Sequence, residues 1–235
     1  MEKEKLSLNR VFIEGWAAFT RRPWLSIGGY LLGSLIGSFL WPFIGGPMAG
    51  GVCTLFLKMA RDDNPEIGDL FSCFKDYWRW TGIMWLWVAI YMVCYALIMP
   101  LLILNVMSFG PDTAGNEPLT IIRFFIIHIL LIFLLMIAIL AAAARWGFAF
   151  FEAVEGGGVM NAFRRSSELT KGYRLRLWLI MIVLSIFANA GVFALYSGMF
   201  VTATIAVNIM TAIYLDLKRI KGSTQAIPDS LPYTV

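Results

Sequence analysis

LWLIMIVLSIFANAGVFALYSGMFVTATIAVNIMTAIYL, residues Leu177–Leu215, contains no Lys, Arg, Asp or Glu. As one helix it would rise about 58 Å, nearly twice the hydrocarbon thickness of a bilayer. It therefore has to turn, and Tyr196-Ser197-Gly198 carries the turn chemistry. Working outward, Pro23–Leu57, Trp80–Pro111 and Phe124–Ala144 are uncharged too. A spanning helix needs about 20 apolar residues, so each tract predicts at least one crossing. Membrane β-barrels show short alternating segments instead, so these crossings read as helical.

The rest of the composition agrees. Of 235 residues 59% are hydrophobic and 14% charged, against about 25% charged in a soluble domain. An apolar excess of this size cannot be hidden in one water-soluble core. The net charge of +4 fits loops that meet anionic headgroups, and no soluble segment is long enough to hold a nucleic-acid recognition module. Glu2, Glu4 and Glu14 precede the first apolar run near Trp24, so the first span is expected to be kept rather than cleaved as a signal peptide. Cys53, Cys73 and Cys94 are scattered and lack ligand-spaced histidines, which reads as apolar packing with no metal, cofactor or disulfide.

Between the tracts lie short amphipathic stretches. Leu8, Val11, Phe12, Gly15, Trp16 and Phe19 share a helical face, too polar overall to span and suited to the interface. Asn64-Pro65 reads as the start of a second such helix, with Ile67, Leu70, Phe71, Phe74, Tyr77 and Trp78 on one face. After the break Glu155-Gly156-Gly157-Gly158, a third carries Val159, Ala162, Phe163, Ser166 and Thr170 on one side and ends near Gly172. The first tract divides at Trp41-Pro42 and Gly45-Gly46-Pro47, leaving a short returning arm, Met48–Ala60, that either spans or is re-entrant. Thr81–Leu104 spans, 105–119 is a polar far-side loop, and Thr120–Phe151 returns as one long helix.

The expected fold is therefore all-α: a polytopic bundle of about six crossings in three hairpins, each preceded by a cytoplasm-side interfacial helix. With the N-terminus inside, every one of the 19 Lys and Arg except Arg123 falls on or beside the cytoplasmic face, so both termini are expected in the cytoplasm. Residues 1–221 form one domain, with candidate parallel repeats over 8–60, 67–151 and 159–215, and 222–235 is a loose tail.

Three stretches carry a likeness: Gly46-Pro47-Met48 with the helix that follows into Pro65–Phe74, then Ala162–Gly172 (AFRRSSELTKG), then Thr202–Leu217 with its Ile213-Tyr214-Leu215-Asp216 ending. Together they resemble a bacterial family of uncharacterised multipass integral membrane proteins, related to the membrane domain attached to some glycerophosphodiester phosphodiesterases. The resemblance implies six or so helices in the plasma (inner) membrane. It implies no catalytic residues, and the phosphodiesterase domain has no counterpart in this sequence.

Candidate chemistry is sparse. The lone histidine, His128, lies within a span with no acid or serine at triad spacing. Arg145 and Glu152, two turns apart on one predicted helix, and Glu155 beyond them, could line a polar path with His128, or snorkel and pair with Arg164 or Arg165. Gly29, Gly33 and Gly37 form a glycine zipper that permits close packing, within the chain or with a second copy. Arg21, Arg22, Arg79, Arg164, Arg165 and Lys171 are placed to meet lipid headgroups or a partner. The expected function is a non-enzymatic scaffold or accessory subunit in an envelope, lipid or export process, with membrane lipids and a membrane partner or second copy as its company. The alternative is a small transporter or channel using Arg145, Glu152 and His128.

Overall fold

The computed structural model describes residues 6–39, 41, 43–107, 118–191 and 197–224. Every regular element among them is a helix: α1 (Leu8–Arg21), α2 (Pro23–Phe39), α3 (Gly45–Arg61), a 3-10 segment (Ile67–Asp76), α4 (Tyr77–Met107), α5 (Pro118–Trp146), α6 (Ala149–Val154), α7 (Val159–Leu169), α8 (Arg174–Ala190) and α9 (Ser197–Thr224). Three stretches are long and apolar enough to cross a bilayer: Ile67–Met107, Ile122–Val154 and Gly198–Gly222. A fourth is added if α7 and α8, bent by 101° at their junction, form one broken span. α2 and α3 have 17 residues each, about 25 Å of rise against roughly 30 Å of hydrocarbon. The chain is a helical, membrane-embedded protein with three or four helices of spanning length.

The other helices gather around α9. Helices α1, α2, α3, α7 and α8 all pack on it, and half of its span is buried. α1 approaches it closely at Gly15, where a Cβ would stand 2.8 Å from the Ile209 Cα. Val11, Gly15, Ala18 and Phe19 of α1 are buried, whereas Leu8, Phe12 and Trp16 are exposed. The predicted apolar face of α1 is thus split between α9 and the surroundings.

Small residues also set the packing of α2 on α3. Side chains at Gly29 and Gly33 would collide with Leu55 and Val52, and one at Gly37 would touch the Met48 Cβ at 3.4 Å. Glycine at these positions brings two backbones together without a void. Gly45-Gly46-Pro47, expected to be a turn, instead forms the first turn of α3. Proline is tolerated there because its missing N–H would have been unpaired anyway.

The second amphipathic stretch departs from expectation. Asn64 has φ of 36°, so the Asn64-Pro65 start fails. The helix begins at Ile67 instead, capped by Glu66, whose amide donates to Asp69 Oδ2 at 2.9 Å. Its 3-10 period of three, rather than 3.6, turns Leu70 and Cys73 inward and leaves Phe71 exposed; Ile67 at its start and Trp78 in α4 are exposed as well.

The long helix predicted over Thr120–Phe151 is broken at Gly147-Phe148, between α5 and α6. The Arg145 carbonyl at its end accepts hydrogen bonds from Ser166 Oγ (3.3 Å) and Thr170 Oγ1 (3.2 Å) of the α7 region, satisfying one of the carbonyls a helix end leaves open. The face of α7 is as expected: Ala162, Phe163, Ser166 and Thr170 are buried. Gly156, Gly157 and Gly172 have φ of 105°, 111° and 94°, backbone that favours glycine, and they mark both ends of α7. α8 stops at Ala190, short of the predicted Leu195, and α9 runs to Thr224, past the expected boundary at 221. The predicted far-side loop is described only at its two ends, and the Tyr196 turn position and the tail from 225 lie outside the described residues.

Candidate functional site

The charged groups converge at one end of the bundle, where the last turns of α9 carry Asp216, Lys218, Arg219 and Lys221. Tyr214, Lys218 and Lys221 follow the i, i+4, i+7 spacing of one helix face. Lys218 Nζ forms an ion pair with the Glu155 carboxylate and lies 3.8 Å from Glu152 Oε1. Arg61 Nη2 reaches Glu155 Oε1 from α3 at 2.5 Å. Glu152 is only 4% exposed, and a carboxylate withdrawn that far from water needs a nearby cation. Tyr214 supplies the floor: its ring stacks on Phe151 at 5.2 Å, meets Phe148 at 5.7 Å, and lies 5.3 Å below Lys218 Nζ. The Tyr214 hydroxyl lies against the Glu152 carboxyl, outside hydrogen-bonding geometry.

A second set of pairs closes α1 onto α9. Asp216, 2% exposed, has Arg10 Nη1 at 3.8 Å, and Arg219 meets Glu14 at 3.8 Å. Lys58 on α3 holds Asp69 of the 3-10 segment at 2.7 Å, and Arg22 faces Asp62 at 3.8 Å. Acids and bases at this end are thus matched across elements. The arrangement is a clasp joining α1, α3, α6 and α9.

The four residues expected to form a polar path do not converge. Glu152 and Glu155 belong to the clasp. Arg145 is exposed on the other side of the α5–α6 break, its Nε donating to Ser167 Oγ at 3.1 Å and its guanidinium 4.8 Å from the Trp146 ring. The predicted shared face of Arg145 and Glu152 assumes one continuous helix, whereas α5 ends at Trp146 and α6 begins at Ala149. The expected partners of the two acids are replaced as well: Arg164 pairs with Glu168 at 3.0 Å and Arg165 donates to the Gly156 carbonyl at 3.1 Å. His128 is half-buried far along α5, its ring 5.7 Å from Phe124 and its Nδ1 without a hydrogen-bond partner. Gly29, Gly33 and Gly37 are covered by α3.

Of the cations expected to face lipid or a partner, Arg21, Arg22, Arg164, Arg165 and Lys171 are exposed. Arg79 instead pairs with Asp76 at 3.5 Å and lies 5.0 Å from the Trp80 ring. No motif in the sequence points to Arg61, Tyr214, Asp216 or Lys218 as site residues. The signal available was position: Asp216 and Lys218 directly follow an uncharged tract, where a charge is placed at the edge of the apolar layer. No family model, curated protein or solved structure matches this chain.

Proposed function

We propose that this is a non-enzymatic integral membrane protein of the bacterial plasma membrane, acting as a scaffold or accessory subunit in an envelope, lipid or export process. In this reading the chain crosses about six times, the three 17-residue helices α2, α3 and α8 completing the hairpins. The charged end of the bundle and both termini face the cytoplasm, in keeping with the concentration of Lys and Arg there. The likeness to the multipass bacterial family enters the proposal on the same footing.

One observation carries the scaffold reading. Lys218 lies between Glu152 and Glu155, with Arg61 completing the set, so the deepest charges bind helices to one another rather than line a passage. α4 and α5, by contrast, offer long uncommitted apolar faces to the bilayer. The test is photo-crosslinking in native membranes from Leu97 on α4 and Ile129 on α5, both exposed, with buried Thr204 as control. The scaffold reading expects one defined protein adduct from both exposed positions and none from Thr204. Lipid adducts alone at Leu97 and Ile129 would count against it. A Glu152→Gln protein that stays folded yet loses a measured solute flux would favour the transporter.

A further inference from the structure

Two features outside the clasp fit one ligand. The first is a shallow, largely open apolar cavity of about 380 Å³ on the surface between α2, α4, α5, α8 and α9, a volume within the range of roughly 300–1,000 Å³ seen for small-molecule pockets. Trp87, Leu140, Met181 and Ala206 line it, and Tyr30 and Ser185 are the polar side chains that reach it. The second is a pair of guanidiniums. Arg145 Nε and Arg174 Nη2 both donate to the Ser167 hydroxyl oxygen, each at 3.1 Å, and Arg174 also donates to the Ser167 carbonyl at 3.2 Å. Among the described residues no carboxylate lies within 4 Å of either guanidinium.

The surroundings add positive charge. Lys221 donates to the Glu168 carbonyl and is close enough to Lys171 and Arg174 to feel their charge. The neighbouring acid Glu168 is held by Arg164 at 3.0 Å. Two guanidiniums brought together on one neutral hydroxyl repel each other, and an anion bridging them would relieve that repulsion.

The cation pair and the cavity are joined by one face of α8. Arg174, Trp178, Met181, Ser185 and Ala188 recur at four- and three-residue intervals, so they form a continuous stripe. From Arg174 the stripe rises about 10 Å to the cavity at Met181 and about 21 Å to Ala188, more than half of the roughly 30 Å hydrocarbon layer. We propose that this stripe is a binding site for an anionic phospholipid, its phosphate between Arg145 and Arg174 and one acyl chain in the cavity. The phosphate accepts charge-assisted hydrogen bonds from both guanidiniums, while the acyl chain fills space that no described side chain fills. The proposal goes beyond the scaffold reading and does not depend on it, since its test reads lipid retention by the isolated chain and not partner capture.

The test is native mass spectrometry of the purified full-length chain in neutral detergent, titrated with dioleoyl-phosphatidylglycerol, dioleoyl-phosphatidylcholine and glycerol 3-phosphate. The wild type should retain one phosphatidylglycerol at least about tenfold more tightly than phosphatidylcholine, as expected for two cations at a membrane surface, and glycerol 3-phosphate should not displace it. R145Q/R174Q should erase the preference between the two lipids. Ala206→Phe should weaken retention of both lipids alike by narrowing the cavity. Equal retention of the two lipids by the wild type overturns the proposal, whatever the variants do. So does an unchanged preference in R145Q/R174Q, an Ala206→Phe protein that binds phosphatidylglycerol like the wild type, or displacement by glycerol 3-phosphate, which would mark a free-anion site with no part for the chain.

Discussion

α9 and the α4–α5 pair are the same kind of object by composition and opposite in use. Each is an apolar helix of 28 to 31 residues, and by hydropathy the α4–α5 stretches are simply the more apolar. Yet half of the α9 span is buried, against 6% for the α4 stretch and none for the α5 stretch. The difference follows from which groups each must hide. α9 carries Thr204, Asn208, Thr211 and Asp216, all buried, and its threonine hydroxyls return to its own carbonyls, as in Thr211 Oγ1 to Val207 at 2.9 Å. Polar groups at membrane depth are costly against lipid, so the helix that bears them is enclosed by protein. α4 and α5 carry few such groups in mid-span. Their exposed Leu97, Leu101, Ile126, Leu130 and Phe133 can face hydrocarbon at no cost.

The sharpest way to break this contrast is to put a charge on the exposed helix. Leu130→Arg should cost about 3–4 kcal/mol of insertion free energy if Leu130 faces lipid near mid-span, read as a loss of membrane-integrated protein in a glycosylation-reporter assay. No loss would mean that this face of α5 meets water. The enclosed helix should instead be sensitive to bulk. Gly15→Leu drives a side chain into the Ile209 backbone and should lower stability by about 1–3 kcal/mol, seen as a fall in the detergent melting temperature. Gly28→Leu, with nothing within 4 Å of its Cβ position, should leave that temperature unchanged within error. The smallest effect is expected at Asn208, whose Nδ2 bonds the Thr204 carbonyl at 3.0 Å while its Oδ1 has no partner. Asn208→Leu removes both groups together and should be neutral or stabilising by up to about 1 kcal/mol. A large loss would show that Oδ1 has a partner of functional weight.

Much of the helical content is legible in the sequence because charge exclusion is a one-dimensional signal. Among the described residues the four uncharged tracts fall mostly in helices, the glycine triplet 156–158 marks the start of α7, and the buried face of α7 follows its 3.6 period. The misses are instructive. A ten-residue 3-10 segment shares its composition with an α-helix, so only the observed period of three shows that Cys73 and not Phe71 turns inward. The break at Gly147-Phe148 has no proline to announce it, and every inference from the spacing of Arg145 to Glu152 inherits that error. The site itself was least legible. Glu155 finds its cations at Arg61 and Lys218, distant in sequence and on different helices, and such pairing is set by packing that no local pattern encodes. The count of crossings also hangs on 17-residue helices, at the lower limit of what spans a bilayer.

Whether the charged end is a clasp is decided by a double-mutant cycle between Glu155 and Lys218, using Glu155→Gln, Lys218→Met and the double variant, with unfolding free energy measured in detergent. A clasp predicts that each single change destabilises and that the double variant costs less than their sum, with a coupling of about 0.5–3 kcal/mol. Losses that simply add, within about 0.5 kcal/mol, would contradict it and return these residues to the list of groups free for another task.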